Sequence, residues 1–222
     1  MGGRRVSERW EVRLTGARTA TALAALLLAA GLAGCGGSGS GTTTRAAAAA
    51  SSALDGMTPV GLVVPNFTLH DQHGQAVSLA QQRGKFVVVT FLYTHCKNVC
   101  PVIAGQLNQA LRDLGPARNQ LRVLAVSVDP KHDTPAAVDH FIAVHRLLPQ
   151  FLYLTGTVPQ LEKVWNVFHV ASVPDKGGIV VSHTAIEFLL DRNGKPRALY
   201  DSQITAGELV HDLRVLGLHT SA

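Results

Sequence analysis

The chain has 222 residues, of which 46% are hydrophobic, and a formal net charge of +5. A chain of this length and composition can bury one sizeable core. The excess positive charge lies before Cys35, where there are five arginines and two glutamates, whereas 15 basic and 13 acidic residues follow it. The charge of the remaining chain is close to balanced, which argues against nucleic-acid binding.

Residues 1–34 are predicted to be a signal peptide. Five arginines precede an apolar run at residues 20–33, which is too short to span a bilayer comfortably but suits the hydrophobic part of a signal peptide. The run ends in the sequence LAGC at residues 32–35, which resembles the lipobox of bacterial lipoproteins. That resemblance implies cleavage before Cys35 and attachment of a lipid to its sulfur. An ordinary signal peptide or an uncleaved anchor is the alternative.

Residues 35–54 are predicted to be the lipid-bearing cysteine and a flexible tether. They consist almost entirely of Gly, Ser, Thr and Ala, which cannot bury enough apolar surface to fold. Residues 55–222 are then the folded domain, and we expect a lipid anchor to hold it at the extracytoplasmic face of the cell membrane. Arg4-Arg5 leaves both the general and the twin-arginine export routes open, although the flanking residues fit a twin-arginine signal poorly.

The first half of the domain is predicted to form a hairpin, a buried strand and a helix. Residues 63–79 are predicted to be two short strands around a turn at 71–74. Residues 86–93 form a continuous apolar and β-branched run, typical of a strand buried on both faces. From Val99 onward, apolar residues recur at helical spacing until Gly115-Pro116 ends the pattern.

The second half of the domain alternates predicted strands and helices. Thr134 is a predicted N-cap before Pro135 in the first helical position, Gly177-Gly178 indicates a flexible loop, and Asn193-Gly194 is a predicted tight turn. We predict strands at 121–128, 151–154, 180–191 and 197–200, and helices at 135–147, 159–168 and 206–216. This order, with the N-terminal β-hairpin as an extension, is that of an α/β thioredoxin-like fold, in which helices flank a central mixed sheet.

Cys96 and Cys100 lie between the buried strand and the first helix, at the carboxyl end of the sheet. Residues i and i+4 share one face of a helix, with Cβ atoms about 5–6 Å apart. This is near the range for a disulfide, and it also allows two sulfurs to hold one metal ion. The helix N-terminus favours thiolate over thiol. A bridge across three intervening residues would restrain the unfolded chain little, so a purely stabilising disulfide is the weaker interpretation.

Three segments resemble the Sco/SenC family of copper-binding thioredoxin-fold proteins. They are YTHCKNVCP at 93–101, SVDPKHDTP at 127–135, and SHT at 182–184 with FLLD at 188–191 before Asn193-Gly194. The resemblance covers residues 57–216 and implies that Cys96, Cys100 and His183 bind one copper ion. Thiolates are soft ligands that suit Cu(I), and imidazole suits both copper oxidation states, whereas structural zinc needs four ligands.

The resemblance also implies a membrane-anchored copper chaperone whose client is the CuA-carrying subunit of cytochrome c oxidase. A thioredoxin-like reductant and a copper donor would be further partners, because the cysteines must be reduced to bind Cu(I) or Cu(II). The alternative is a thiol–disulfide reductase that attacks with Cys96 and resolves with Cys100. A sensor that acts through partner binding is a third interpretation. A peroxidase is disfavoured because the expected arrangement of a lone peroxidatic cysteine is missing.

Other polar residues near these motifs are predicted to have structural roles. The side chain of His95 is expected to leave the strand end on the side away from the site, and the remaining histidines to be solvated or at helix ends. Asp129 and Asp133 are predicted to support a turn and the start of the following helix, with a role beside the metal or dithiol as the alternative. Glu187 and Asp191 are predicted to lie at the surface.

Two positions depart from the family pattern. Lys97-Asn98 stands where many members have Pro-Asp, and Ser182 stands where many have Asp before the ligand histidine. Each change removes a negative charge near the bound cation. Lys97 also favours the thiolate form while repelling a cation. We therefore expect copper binding to shift toward Cu(I), which carries less charge.

Overall fold

The computed structural model describes residues 53–174 and 180–219. Within these ranges the chain forms nine strands and four α-helices. The strands are β1 (Thr68–His70), β2 (Ala76–Ser78), β3 (Phe86–Leu92), β4 (Leu121–Ser127), β5 (Phe151–Leu154), β6 (Ser172–Pro174), β7 (Val180–His183), β8 (Ile186–Leu190) and β9 (Pro196–Asp201). The helices are α1 (Val99–Asp113), α2 (Pro135–His145), α3 (Val158–Val167) and α4 (Ala206–Val215).

Several sequence predictions fall outside the described residues. These are the signal peptide, Cys35, the Gly177-Gly178 loop and the tether except for its last two residues. The assignments, with the domain boundaries they imply, stay predictions. None of the helices in the described ranges has the length and hydrophobicity of a membrane-spanning segment.

The central sheet has five strands in the order β5-β4-β3-β8-β9. All seven residues of β3 are buried, as the unbroken apolar run predicts for a strand that is covered on both faces. β4 pairs parallel to β3, with Phe86 opposite Leu121 and Leu92 opposite Ser127. β8 pairs antiparallel to β3 on its other side. The predicted central mixed sheet is therefore confirmed, with β3 in the middle.

Helices flank this sheet and share its core. α1 lies against α4. The chain just after α3 joins the sheet through an aromatic cluster, in which the Phe168 ring lies 5.4 Å from Phe91 and 4.7 Å from Phe188. α4 begins with a capping box, because the side chains of Thr205 and Glu208 each accept the other residue's amide hydrogen. The hydrophobic core thus extends from β3 to the helices that surround it.

The N-terminal hairpin is confirmed, although its strands have only three residues each. β1 and β2 pair antiparallel, with Leu69 opposite Val77. The Asp71 carboxylate accepts the amide hydrogens of His73 and Gln75, both at 2.9 Å. When an aspartate accepts hydrogen bonds from backbone amides just after it, these bonds stabilise a tight turn. The sequence predicted a turn at this position.

The helix predicted at 135–147 ends two residues earlier than expected. Thr134 is its N-cap, as predicted. The helix stops because Arg146 takes a left-handed backbone conformation, with φ of 49°. The Arg146 carbonyl then accepts hydrogen bonds from Asn108 and Arg112 of α1, which hold the end of α2 against α1.

The single strand predicted at 180–191 is wrong. Two strands, β7 and β8, occupy this stretch and are separated by Thr184 and Ala185. β7 is not part of the central sheet. It pairs with β6 in a two-stranded β6–β7 ribbon, and the sequence did not predict β6. The Thr184 amide donates to the Ala171 carbonyl, and the Ala171 amide donates to Thr184 Oγ1. These hydrogen bonds turn the chain from the ribbon into the sheet, and periodicity along one segment does not reveal them.

Glu187, predicted to lie at the surface, is fully buried in β8. β8 lies between β3 and β9, so both of its edges are paired, and four of its five residues are buried. Thr90 Oγ1 donates to Glu187 Oε1 at 3.3 Å, and Oε2 has no hydrogen-bond partner among the described residues. Burial raises the pKa of Glu187 to about 8, so the carboxyl group is mostly protonated at neutral pH. Asp191, also predicted at the surface, is partly buried and pairs with Arg197 at 3.3 Å.

We predict that Glu187 makes the protein less stable as the pH rises from 4.5 to 8. The group has an ordinary pKa of 4.5 in the unfolded chain but ionises only near 8 in the folded protein. Below this window both states are protonated. Within it only the unfolded state loses the proton, so the contribution of Glu187 to the free energy of unfolding falls by about 1.4 kcal/mol per pH unit. Glu187→Gln cannot ionise and should lack this slope in urea denaturation at several pH values inside the window.

Glu162→Gln is the matched control, because Glu162 is an exposed carboxylate on α3. It should keep the wild-type pH dependence. Parallel stability curves for wild type and Glu187→Gln would show that burial does not hold the proton on this carboxyl group.

Candidate metal centre

The turn between β3 and α1 carries both cysteines. Cys96 follows the buried strand, and its amide donates to the Tyr93 carbonyl at 3.3 Å. Cys100 lies in the first turn of α1, whose N-cap residue, Asn98, makes no side-chain hydrogen bond to the helix. Cys96 Sγ accepts the Cys100 amide hydrogen instead, at 3.3 Å. The sulfur thus satisfies one of the free N–H groups with which every helix begins.

The two cysteines have free thiols that are chemically unequal. Cys96 is 8% exposed, whereas Cys100 is completely buried. A hydrogen bond from the Cys100 thiol lowers the pKa of Cys96 to about 5, against the opposing effect of burial. The same hydrogen bond, together with burial, raises the pKa of Cys100. At neutral pH the pair therefore consists of a Cys96 thiolate and a Cys100 thiol.

His183 meets this pair from the end of β7. Its Nδ1 lies 2.9 Å from the Thr184 carbonyl oxygen. Since a carbonyl oxygen only accepts, Nδ1 carries the proton and Nε2 keeps its lone pair. Nε2 lies 3.6 Å from Cys100 Sγ. Burial lowers the pKa of His183, which favours the neutral imidazole, and the ring of Tyr93 packs edge-on against it.

The sequence placed His183 inside a single strand at 180–191, and this is wrong. His183 ends β7 in the β6–β7 ribbon and is only partly buried. The structure nevertheless brings its imidazole beside Cys100, whose amide bonds to Cys96. His183 thus contacts one of the two sulfurs expected to bind the metal with it, and the role of the three side chains as ligands stays a prediction.

Two chemistries fit this arrangement. Two sulfurs and one imidazole nitrogen can hold a soft cation in a site of low coordination number. The Cys100 thiol must lose its proton for this, so metal binding releases a proton. The same dithiol can attack a disulfide, with Cys96 as the thiolate and Cys100 as the resolving thiol.

Asp133 does more than support the start of α2. Its Oδ1 accepts hydrogen bonds from the amide and the hydroxyl of Thr94, both at 2.8 Å. Its Oδ2 accepts the hydroxyls of Ser127 at 2.6 Å and Tyr153 at 2.9 Å. Burial raises the pKa of Asp133, and these hydrogen bonds oppose the rise. The only sequence signal for this network is that hydroxyl residues lie within or directly after apolar strands.

The remaining polar residues of the two motifs surround the cysteine turn. His132, predicted to be solvated, is mostly buried, and its ring nitrogen bonds to Asp129, which is also buried. His95, Lys97 and Asn98 are exposed. The substitutions that distinguish this chain from the family pattern after Cys96 therefore face solvent beside the dithiol.

A second group of potential metal ligands brings together residues from the start and the end of the domain sequence. Asp55, His211 and Asp212 each place one ligand atom within 4.8 Å of the others. The buried Asp212 carboxylate accepts the amides of Asp55 and Gly56 and the hydroxyl of Tyr200. His211 Nδ1 lies 3.0 Å from Asp55 and 3.1 Å from Asp212. These hydrogen bonds fasten the chain near residue 55 to α4, and they account for the group without a metal.

The central strand of this mixed sheet ends at a dithiol, and a histidine faces one of its sulfurs. This arrangement defines a class of proteins that handle thiols or soft metal ions. The model of the SCO1/SenC family matches residues 56–216, and this chain belongs to that family.

Individual relatives agree with this assignment. A SCO2-like protein of Rickettsia typhi is 27% identical over 153 residues, which cover 67% of this chain and 74% of the relative. ScoI of Bradyrhizobium japonicum, solved with copper bound, is 32% identical with a TM-score of 0.62, and the match covers 68% of this chain and 98% of that one. Apo Sco1 of Thermus thermophilus is 28% identical with a TM-score of 0.64, over 74% and 97% of the two chains. The predicted family and α/β thioredoxin-like fold are confirmed.

We predict that Cys96 reacts with iodoacetamide at least about tenfold faster than Cys100 in the folded protein, because only the thiolate is a good nucleophile and Cys100 is also buried. A Cys35→Ser chain isolates the two thiols, and peptide mapping after short exposures measures each rate. The urea-unfolded chain is the control, in which the two cysteines should react at similar rates. Equal rates in the folded protein would contradict the inequality of the pair.

Proposed function

We propose that this protein is a copper chaperone that carries one copper ion on Cys96, Cys100 and His183. The observation that supports this most directly is the imidazole of His183. Its Nδ1 is committed to the Thr184 carbonyl, and its Nε2 faces Cys100 Sγ at 3.6 Å. A hydrogen bond at the other ring nitrogen is the usual way in which a protein orients a metal-binding histidine.

The family supports copper as the cargo. The relative from Bradyrhizobium japonicum has been solved with copper bound, and Sco proteins are a family of cytochrome c oxidase assembly proteins. The donor set is also suited to it, since thiolates favour Cu(I) and imidazole binds both oxidation states. We therefore propose that the copper is delivered for the CuA site of cytochrome c oxidase, to the subunit that carries it.

The three proposed ligands contribute to copper binding in different ways. Cys96 is already a thiolate and offers the first sulfur. Cys100 provides the second sulfur when its proton leaves, and His183 provides a nitrogen that is neutral before the metal arrives. Oxidation of the two cysteines to a disulfide would remove both thiolates, so a thioredoxin-like reductant and a copper donor are the partners that this cycle requires.

The proposed location follows from the predicted N-terminal segment. A lipid on Cys35 would hold the domain at the extracytoplasmic face of the membrane. The tether up to residue 54 would let it search the nearby surface, which raises its effective concentration toward membrane-bound clients.

The unequal thiols favour a second candidate function. A low pKa at Cys96 beside a buried Cys100 is the arrangement of an attacking and a resolving thiol. The protein would then reduce client cysteines rather than deliver copper. The two functions need the same dithiol but differ in their need for His183.

We predict that His183→Ala separates the two functions. Its loss should lower copper affinity at least about tenfold, because the loss of even an outer partner of a metal ligand has an effect of that size. Thiol–disulfide exchange with a small disulfide should survive. Copper stoichiometry and sulfur-to-copper absorption, measured on the reduced Cys35→Ser chain, check the first outcome. His73→Ala, at an exposed histidine of the N-terminal hairpin, is the control.

Cys96→Ser and Cys100→Ser should each abolish copper binding at the proposed three-ligand site, and each should abolish exchange. Unchanged copper affinity in His183→Ala would remove the imidazole from the ligand set. If wild type shows no sulfur-to-copper absorption at all but exchanges disulfides efficiently, the reductase is the better assignment.

We predict that Lys97→Pro/Asn98→Asp raises the affinity for Cu(II) relative to that for Cu(I). The change removes a positive charge and adds a negative one on the exposed segment between the cysteines, and a doubly charged ion responds more strongly than a singly charged one. Competition with chelators of each oxidation state measures the ratio. Lys163→Gln, which removes an exposed charge on α3, should leave it unchanged. An unaltered ratio in the double variant would refute the role of this segment.

A further inference from the structure

Two imidazoles lie against each other beside the cysteine turn. His95 directly precedes Cys96, and His132 lies in the loop between β4 and α2. Their ring centroids are 5.8 Å apart, and the ring planes cross at 79°. Neither histidine belongs to the three proposed ligands, so the contact needs an explanation of its own.

His132 is held by a buried carboxylate. Both oxygens of Asp129 lie 2.9 Å from His132 Nδ1, and Asp129 is only 2% exposed. A carboxylate accepts, so Nδ1 carries a proton, and in the neutral ring Nε2 then keeps the lone pair. A histidine oriented through its other nitrogen by a carboxylate is the arrangement that metal-binding histidines use. The negative charge behind the ring also favours a cation in front of it.

His95 is oriented in the same sense. Its Nδ1 lies 3.2 Å from Thr94 Oγ1. The Thr94 hydroxyl has a single hydrogen and donates it to Asp133 at 2.8 Å. Thr94 therefore accepts from His95, which places the imidazole proton on Nδ1 and leaves Nε2 with its lone pair. In their neutral forms both rings thus have Nε2 available for a ligand.

The spacing of the two rings fits one shared ion. An imidazole nitrogen binds a first-row metal ion at about 2.0–2.1 Å, so two rings that share an ion have their centroids roughly 5–6 Å apart. The observed separation of 5.8 Å lies in this range. His95 is exposed and can turn its ring toward the ion, while Asp129 holds His132 in place.

We propose that His95 and His132 form a copper-capture site that receives the incoming ion before it passes to Cys96 and Cys100. This inference rests on the proposed copper-carrying function and names a second site for the same ion. Transfer is a ligand exchange: bonds to two imidazole nitrogens break, bonds to the sulfurs form, and the Cys100 proton leaves to solvent. The copper keeps its oxidation state throughout.

A bracing role for the His132–Asp129 pair in its loop would account for the bond at Nδ1. It would not require a second imidazole beside His132, nor two rings that both keep Nε2 available. The bracing role and the capture role therefore differ in what happens when copper is added, and this difference is measurable.

The first experiment removes the sulfur ligands. The full chain in detergent, with Cys35→Ser, Cys96→Ser and Cys100→Ser, receives one equivalent of Cu(II). We expect an electron paramagnetic resonance spectrum with nitrogen couplings from two imidazoles. His132→Gln in the same background should lower the affinity about tenfold. His73→Gln, at an exposed histidine of the N-terminal hairpin, is the control and should leave it unchanged.

The second experiment keeps the dithiol. After reduced Cys35→Ser protein is mixed with copper, the sulfur-to-copper absorption should rise several-fold more slowly in His132→Gln and in His95→Gln than in wild type. Its final amplitude should be the same, because the destination site is intact. His73→Gln should load at the wild-type rate.

The outcomes separate the two proposals. If wild type develops no sulfur-to-copper absorption, the copper-carrying function itself fails. If wild type loads normally but neither the loading rate nor the binding by the triple-serine chain depends on His132, the capture site is overturned. A fall in final amplitude in His132→Gln would also overturn it, because the residue would then belong to the final site.

Discussion

The site depends on the hydrogen bonds that the buried carboxylate of Asp133 accepts. Its two oxygens accept four hydrogen bonds, from Thr94 just after β3, Ser127 at the end of β4, and Tyr153 in β5. A buried carboxylate is costly unless its oxygens are bonded, so these partners must all be in place together. Thr94 lies two residues before Cys96. The position of the first sulfur is therefore set by the packing of three strands as well as by its own turn.

The charge of the site is the second property that matters, beside the hydrogen-bond network that positions it. Before metal arrives, the site holds one negative charge, on Cys96, while Cys100 and the imidazole of His183 are neutral. A Cu(I) ion that replaces the Cys100 proton exchanges one positive charge for another, so the total charge of the site does not change. The surroundings that accommodate the free dithiol would then accommodate the loaded one with little electrostatic readjustment.

The sequence alone predicted the elements and spacings that depend on consecutive residues. β3 and α1 follow from an unbroken apolar run and a helical period, and the spacing of Cys96 and Cys100 follows from both. Nothing local connects His183 to them, and it was found only through the family resemblance. The errors have a common cause, which is contact between distant segments. Glu187 is a polar residue and was placed at the surface, yet it is fully buried in β8, and the β6–β7 ribbon depends on a pairing that no periodicity shows.

The β6–β7 ribbon separates the third proposed ligand from the other two. Both sulfurs belong to the turn and helix that the central sheet holds, whereas His183 lies on a ribbon joined to β8 through Thr184 and Ala185. The bonds between Ala171 and Thr184 that shape this junction lie outside the sheet. Withdrawal of this imidazole would break no strand pairing of the central sheet. A ligand from the recipient protein could then take its place while both sulfurs still hold the ion, so that copper would change hands by associative substitution and never be released into water.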